Sequence, residues 1–187
     1  MGIDIMKAVS MASAVFGVAL YVISSVATED TINVEYDDWS IDASEKELYC
    51  LAQNVYFEAR SEPMAGQYAV ADVVLNRVRD RRWPDTICGV IKQGPVSQWH
   101  LENTGKTVPL RNMCQFSWYC NGKSDDPRDA KAWKNAQFVA LQIVQGGSFR
   151  GITEGSTHYH AVYADPFWNE HYRRIAKIGT HIFYRSE

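Results

Sequence analysis

The chain has 187 residues, 46% apolar and 22% charged, with a formal net charge of −3. That length suits one ordinary domain with enough apolar mass for a core, and the composition excludes a disordered chain, a collagen-like repeat and a multi-pass membrane protein. The total hides an asymmetry: residues 28–47 carry eight acids against Lys46, a net of −7, residues 1–27 balance, and residues 48–187 hold +4. A mildly basic domain suits an anionic polymer or surface, but the charge is too small to argue for nucleic acid, and no nucleic-acid partner is expected.

Residues 8–27 are an uncharged run, about 30 Å long as a helix and just enough to span a bilayer. Half of it is Ala, Ser or Gly, so the run is only weakly hydrophobic. Its apolar residues go all round a helix rather than forming one stripe, which disfavours a buried core helix. Lys7 precedes it, and Ser25-Val26-Ala27 offers small residues where a signal peptidase reads. A cleaved signal peptide and a weak signal anchor both fit. Residues 28–43 then read as an acidic linker. Residues 44–187 form the expected domain, exported to the periplasm or cell envelope.

Export bears on the four cysteines, Cys50, Cys88, Cys114 and Cys120. An even count outside the cytoplasm favours two disulfides, with three connectivities open; proximity suggests Cys114 with Cys120. No C-x-x-C pair supports a metal site.

Ser44-x-x-Glu47 is a capping box, opening a helix with Leu48, Leu51, Ala52, Val55 and Ala59 on one stripe. Pro63 closes it, and a second helix over 64–79 turns Ala69, Val70, Val73, Val74 and Val78 inward. Asp85 is placed to cap a short helix to Val90. Residues 94–122 read as loops with room for a hairpin. Asp126-Pro127 opens a third long helix, with Trp133, Ala136, Ala140, Leu141 and Val144 inward and Gly146-Gly147 as its stop. Residues 157–164 and 175–184 read as strands. Helices first and a few strands last make the class α+β.

Glu58 is the most informative residue. With Leu48 at zero and ~100° per residue it falls at about 280°, at the edge of the apolar stripe beside Leu51. An acid there, flanked by Tyr56 and Phe57 and facing the carbonyl end of its helix, has its pKa pushed up, as a general acid at neutral pH requires. The plain alternative is a solvated Glu paired with Arg60 or a nearby Lys.

Residues 51–76, LAQNVYFEARSEPMAGQYAVADVVLN, resemble the opening motif of the SleB-like cell wall hydrolases, whose founding members are spore cortex-lytic enzymes. The segments DTICGVI at 85–91, CQFSW at 114–118, THYH at 157–160 and IGTHIFY at 178–184 follow in the same order. The resemblance covers about residues 48–185. It implies a lysozyme-like, lytic-transglycosylase-like fold, a helical lobe with a small β region, acting on peptidoglycan. It also implies that the Glu of the Y-x-E-A-R motif, here Glu58, is the catalytic acid. Residues 94–112 look like an insert relative to the family, and no wall-binding repeat accompanies the domain.

Ordinary glycosidases use two carboxylates. Only Glu58 stands out, with Asp72 and Asp165 in less suggestive settings. A single acid suffices to cleave the MurNAc–GlcNAc bond if the sugar supplies its own C6 hydroxyl, which would give 1,6-anhydro-MurNAc. Gln115, Phe116 and Ser117, with Tyr159 and His160, are candidate substrate-binding residues; the plain alternative for Gln115 to Ser117 is a turn beside a disulfide. Trp99, Trp118, Trp133, Trp168, Tyr159 and Tyr163 offer flat rings to sugars, though core packing accounts for most such residues.

Three rival classes remain at this stage. His158, His160 and His181 could hold zinc for a peptidoglycan amidase, against the absence of an H-E-x-x-H set. Cys50 or Cys114 could serve a Cys–His peptidase, and a wall-binding module would bind glycan without turnover. The preferred reading is a monomeric exported enzyme acting on glycan strands without a cofactor or metal. Its N-terminal segment would meet the membrane, and a signal-anchor endolysin is one setting that this segment suits.

Overall fold

The computed structural model describes residues 43–186, all within one compact unit. The apolar run at 8–27 lies outside the described residues, as does the acidic linker except for Ala43. Among the described residues no helix is long and apolar enough to cross a membrane.

Among the described residues, five α-helices precede three strands: α1 (Glu45–Ala59), α2 (Met64–Arg79), α3 (Ile87–Ile91), α4 (Gln98–Thr104), α5 (Ala130–Gln145), then β1 (His158–Ala161), β2 (Arg173–Ile178) and β3 (His181–Arg185). This is the helical lobe with a small β region expected from the sequence. The Ser44 hydroxyl caps α1, accepting from Glu47 N at 3.4 Å. The reciprocal half of the capping box goes elsewhere, because Glu47 Oε2 accepts from Cys88 N at 2.8 Å in the first turn of α3. An acid at that helix end meets unpaired N–H groups, and it joins α1 to α3 beside the Cys50–Cys88 disulfide.

The expected bounds of α2 match. Eleven of its sixteen residues are buried, so it is a central helix, covered on more than one side. Val78 is only half-buried. On one side, Val74 and Leu75 join Leu51 and Val55 of α1, Ile87, Val90 and Ile91 of α3, and Val139, Ala140 and Ile143 of α5. On the other side, Ala69 and Val73 pack on Phe183 of β3.

Three details differ from the sequence reading. Thr86, not Asp85, caps α3, accepting from Gly89 N at 3.1 Å. Asp129, not Asp126, caps α5, accepting from Ala132 N at 3.0 Å. Leu141 is 40% exposed, whereas Val139 and Ile143 fill the α5 stripe. In each case a polar or apolar residue of the same kind stood nearby, and the helix phase chose between them. The 94–122 stretch forms no hairpin strands; it holds α4, none of whose residues is buried, an isolated bridge between Val96 and Pro109, and a 3₁₀ turn (Ser117–Cys120).

The sheet order is β1-β3-β2, all antiparallel, with Tyr159 opposite Phe183 and a bulge between Arg174 and Ala176. Gly179 (φ 60°) turns β2 into β3. A Cβ at Gly179 would collide with Glu62 Oε2, which accepts from Thr180 N at 2.9 Å while Thr180 Oγ1 donates to Glu62 Oε1. The glycine lets the α1–α2 connection cap the hairpin, and this ties the sheet to the helical lobe.

Candidate active site

Glu58 stands half-buried in the last turn of α1, and its Oε2 accepts a hydrogen bond from the Tyr159 hydroxyl at 3.1 Å. Burial pushes its carboxyl above the usual carboxylate range, against the opposing pull of the Tyr159 hydroxyl and the Arg77 guanidinium. The setting is therefore the partly desolvated one that the helix phase suggested. Arg60 does not neutralise it; its guanidinium lies 5.1 Å over the Tyr56 ring.

Tyr159 reaches Glu58 because β1 is held to β3 in a register that sets it on Phe183, with ring centroids 5.6 Å apart. Burial, followed by the Glu58 charge, pushes its hydroxyl well above the ordinary tyrosine value, so it stays a protonated donor. Among the residues expected to bind substrate, Tyr159 is thus one that touches Glu58 itself.

Arg77 is the residue that sequence reasoning missed. It is 5% exposed in α2, and its Nε donates to Thr157 O at 2.7 Å. Its guanidinium lies 4.2 Å over Trp83 and 5.3 Å from the Phe116 ring. Burial lowers its pKa to about 10, with Tyr159 and Glu58 opposing, so it remains a cation at neutral pH. Nη1 has no hydrogen-bond partner among the described residues. The available signal was its phase, seven residues after Val70 and four after Val73, on a stripe otherwise made of Ala and Val.

The CQFSW segment approaches the same centre through its aromatic members. Phe57 stacks on Trp118 at 4.7 Å, and Trp118 Nε1 donates to the buried Asn54 Oδ1 at 3.0 Å. Phe116 is a buried wall behind Arg77, while Gln115 and Ser117 on either side of it are exposed. Gln115 lines a cavity with Trp83, His158 and Tyr172. His160 is not brought to Glu58. It lies on the other face of β1, stacked on Tyr184, with Nε2 3.0 Å from the Tyr184 hydroxyl.

Among the rivals, the sheet divides the three histidines. His158 and His160 both approach Trp168, whereas His181 lies beside Tyr159 and Glu62 on the opposite face. Among the described residues, no group of three or more His, Cys, Asp or Glu is arranged to hold a metal. Cys50 pairs with Cys88 and Cys114 with Cys120, which leaves no thiol nucleophile. Asp72 is fully buried in an ion pair with Arg150 and accepts from Gly151 N and Thr153 N, an anchoring role. Asp165 accepts from Asn169 in an exposed turn.

Comparison with known proteins finds relatives among cell wall hydrolases. A stretch of 48 residues is 50% identical to the spore cortex-lytic enzyme of Halalkalibacterium halodurans, covering 26% of this chain and 14% of that protein. The corresponding match to the Bacillus subtilis spore cortex-lytic enzyme is 48% identical and covers 26% of this chain and 16% of the relative. The chain thus matches less than a fifth of the length of these relatives. The catalytic domain of the germination-specific lytic transglycosylase SleB from Bacillus anthracis aligns with 27% identity and a TM-score of 0.52, over 77% of this chain and 98% of that one. The Bacillus cereus SleB catalytic domain aligns with 25% identity and a TM-score of 0.51, over 79% and 97%. The model of the Cell Wall Hydrolase family matches residues 61–184, from just past Glu58 to the end of the IGTHIFY motif, and the chain belongs to that family.

Proposed function

We propose that this domain cleaves the MurNAc–GlcNAc bond of peptidoglycan as a lytic transglycosylase, with Glu58 as its single acid and base. The observation that carries the reading is the half-buried Glu58 carboxyl, held above the carboxylate range by burial and oriented by the Tyr159 hydroxyl. The likeness of the domain to the catalytic domains of the lytic transglycosylase SleB from Bacillus anthracis and of Bacillus cereus SleB supports the same chemistry.

The protonated Glu58 gives its proton to the glycosidic oxygen as the C1–O bond of MurNAc breaks and the GlcNAc alcohol leaves. The resulting carboxylate takes the proton of the MurNAc C6 hydroxyl while O6 bonds to C1. This closes the 1,6-anhydro ring and returns Glu58 to its acid form. No second carboxylate is needed, in keeping with the structural ties of Asp72 and the remote turn of Asp165. Arg77 offers a fixed positive charge to the carboxylate stage. Gln115 and Ser117, exposed beside Phe116, meet the glycan in this reading. Tyr159 acts mainly by orienting Glu58, and His160 steadies the outer face of the sheet.

Substrate of this kind lies outside the cytoplasm, so the domain works after export, delivered or tethered by residues 8–27 and acting as a monomer. Mass spectrometry of muropeptides from digested sacculi tests the reaction. Anhydro-MurNAc ends are expected with the wild type and at least about a hundredfold fewer with Glu58→Gln; reducing MurNAc ends would instead mean plain hydrolysis.

A further inference from the structure

A pair of arginines at the end of the sheet has no part in the chemistry above. Arg173 begins β2 and Arg185 ends β3, and the register sets them directly opposite each other. Like charges in that relation repel. Neither guanidinium has an ion-pair partner among the described residues. Both line a cavity of about 410 Å³ with Glu170, His171 and Tyr172. Among the described residues that line it, Glu170 is the one carboxylate beside two arginines.

A second cavity, of about 390 Å³, shares Tyr172 in its lining. That second cavity carries Gln115, Trp83 and His158. Tyr172 therefore stands between the arginine pair and a cavity walled by Trp83, the ring beneath the Arg77 guanidinium. Arg185 is two residues along β3 from Phe183, the register partner of Tyr159, which is roughly 7 Å along the strand.

We infer that Arg173 and Arg185 form an anion-recognition site for the carboxylates of the peptide stem carried by the strand being cut. The inference rests on the glycan-cleavage reading and deepens it. The stem hangs from MurNAc, the sugar placed at Glu58 in this reading, and a stem of about five residues extends to about 17 Å, more than the roughly 7 Å along β3 between Phe183 and Arg185. Guanidinium forks bind carboxylates in a bidentate, charge-assisted way, and a bound carboxylate relieves the repulsion between the two arginines.

The test is calorimetric binding to the Glu58→Gln protein, using a reduced disaccharide-tetrapeptide and the same disaccharide stripped of its stem by an amidase. The stem-bearing probe is expected to bind about tenfold more tightly, the weight of one charge-assisted hydrogen bond. Arg173→Gln with Arg185→Gln abolishes that difference, and Arg185→Lys keeps part of it. Equal affinity for the two probes, no binding of either, or an equal loss for both in the variant overturns the inference. Tighter binding to phosphatidylglycerol vesicles, lost in the same variants, also overturns it and assigns the pair to a lipid surface. Should the double variant not fold, Arg173→Gln alone, at an exposed position, carries the same test. Digestion of sacculi by the wild type separates the two readings: stem-dependent binding without release of muropeptides would sink the glycan-cleavage reading alone.

Discussion

The Tyr159 hydroxyl donates to Glu58 Oε2 at 3.1 Å across 101 residues of sequence. One residue belongs to the last turn of the first described helix and the other to an edge strand of the sheet, so the proposed acid is set only when the two lobes have come together. Tyr159→Phe removes a hydrogen bond that favours the carboxylate, and the Glu58 pKa therefore rises further. Because the active form is the protonated acid, activity falls as pH rises through that pKa. The alkaline limb of the kcat/KM profile is expected to move to higher pH in Tyr159→Phe, with a loss of less than about tenfold at the optimum. An unmoved limb would mean that the hydroxyl does not act on Glu58.

Glu58→Gln is expected to lower turnover of sacculi by about 10²–10⁴-fold, the usual weight of a general acid, with circular dichroism unchanged. Its stability carries a second sign. The folded pKa of Glu58 lies above its unfolded value, so the native state binds more protons in that interval. Wild-type stability therefore declines as pH rises through the unfolded value and up to the raised one. The Gln variant lacks this decline, and urea midpoints should favour it increasingly from acid to neutral pH.

Asp72→Asn should separate structure from chemistry. Asp72 is ion-paired with Arg150 and also accepts from Thr153 Oγ1 at 2.6 Å, pinning the turn before β1 onto α2. Removing one charge of such a pair costs about 3–5 kcal/mol, which denaturant unfolding will register. At a temperature where the variant is folded, turnover should persist; its complete loss would return Asp72 to the list of catalytic carboxylates.

The two disulfides should contribute unequally. Cys50–Cys88 closes a separation of 38 residues and Cys114–Cys120 one of 6, which in the chain-entropy picture correspond to about 4 and about 2 kcal/mol. Replacing the first pair by Ala should lower the melting temperature more than replacing the second. Thiol alkylation of the native protein should leave activity intact, since the described cysteines are all paired.

The amino-acid order alone determined the long helices, most of their apolar stripes, the strand-forming stretches and the edge position of Glu58, because these follow from local periodicity and from the chemistry of helix ends; the turn at Gly179 that splits residues 175–184 into β2 and β3 was not read from it. It also carried the family motifs. Tertiary structure decided what stands opposite those stripes. Glu47 could meet Ser44 or the α3 end, and the approach of α3 settled it. Tyr159 and His160 are neighbours in one motif, yet alternation along β1 sends the first to Glu58 and the second to Tyr184. Arg77 looks like a surface cation until Thr157, Trp83 and Phe116 close over it. Such roles depend on partners up to a hundred residues away, and a pKa or an ion pair exists only once burial and those partners are in place together.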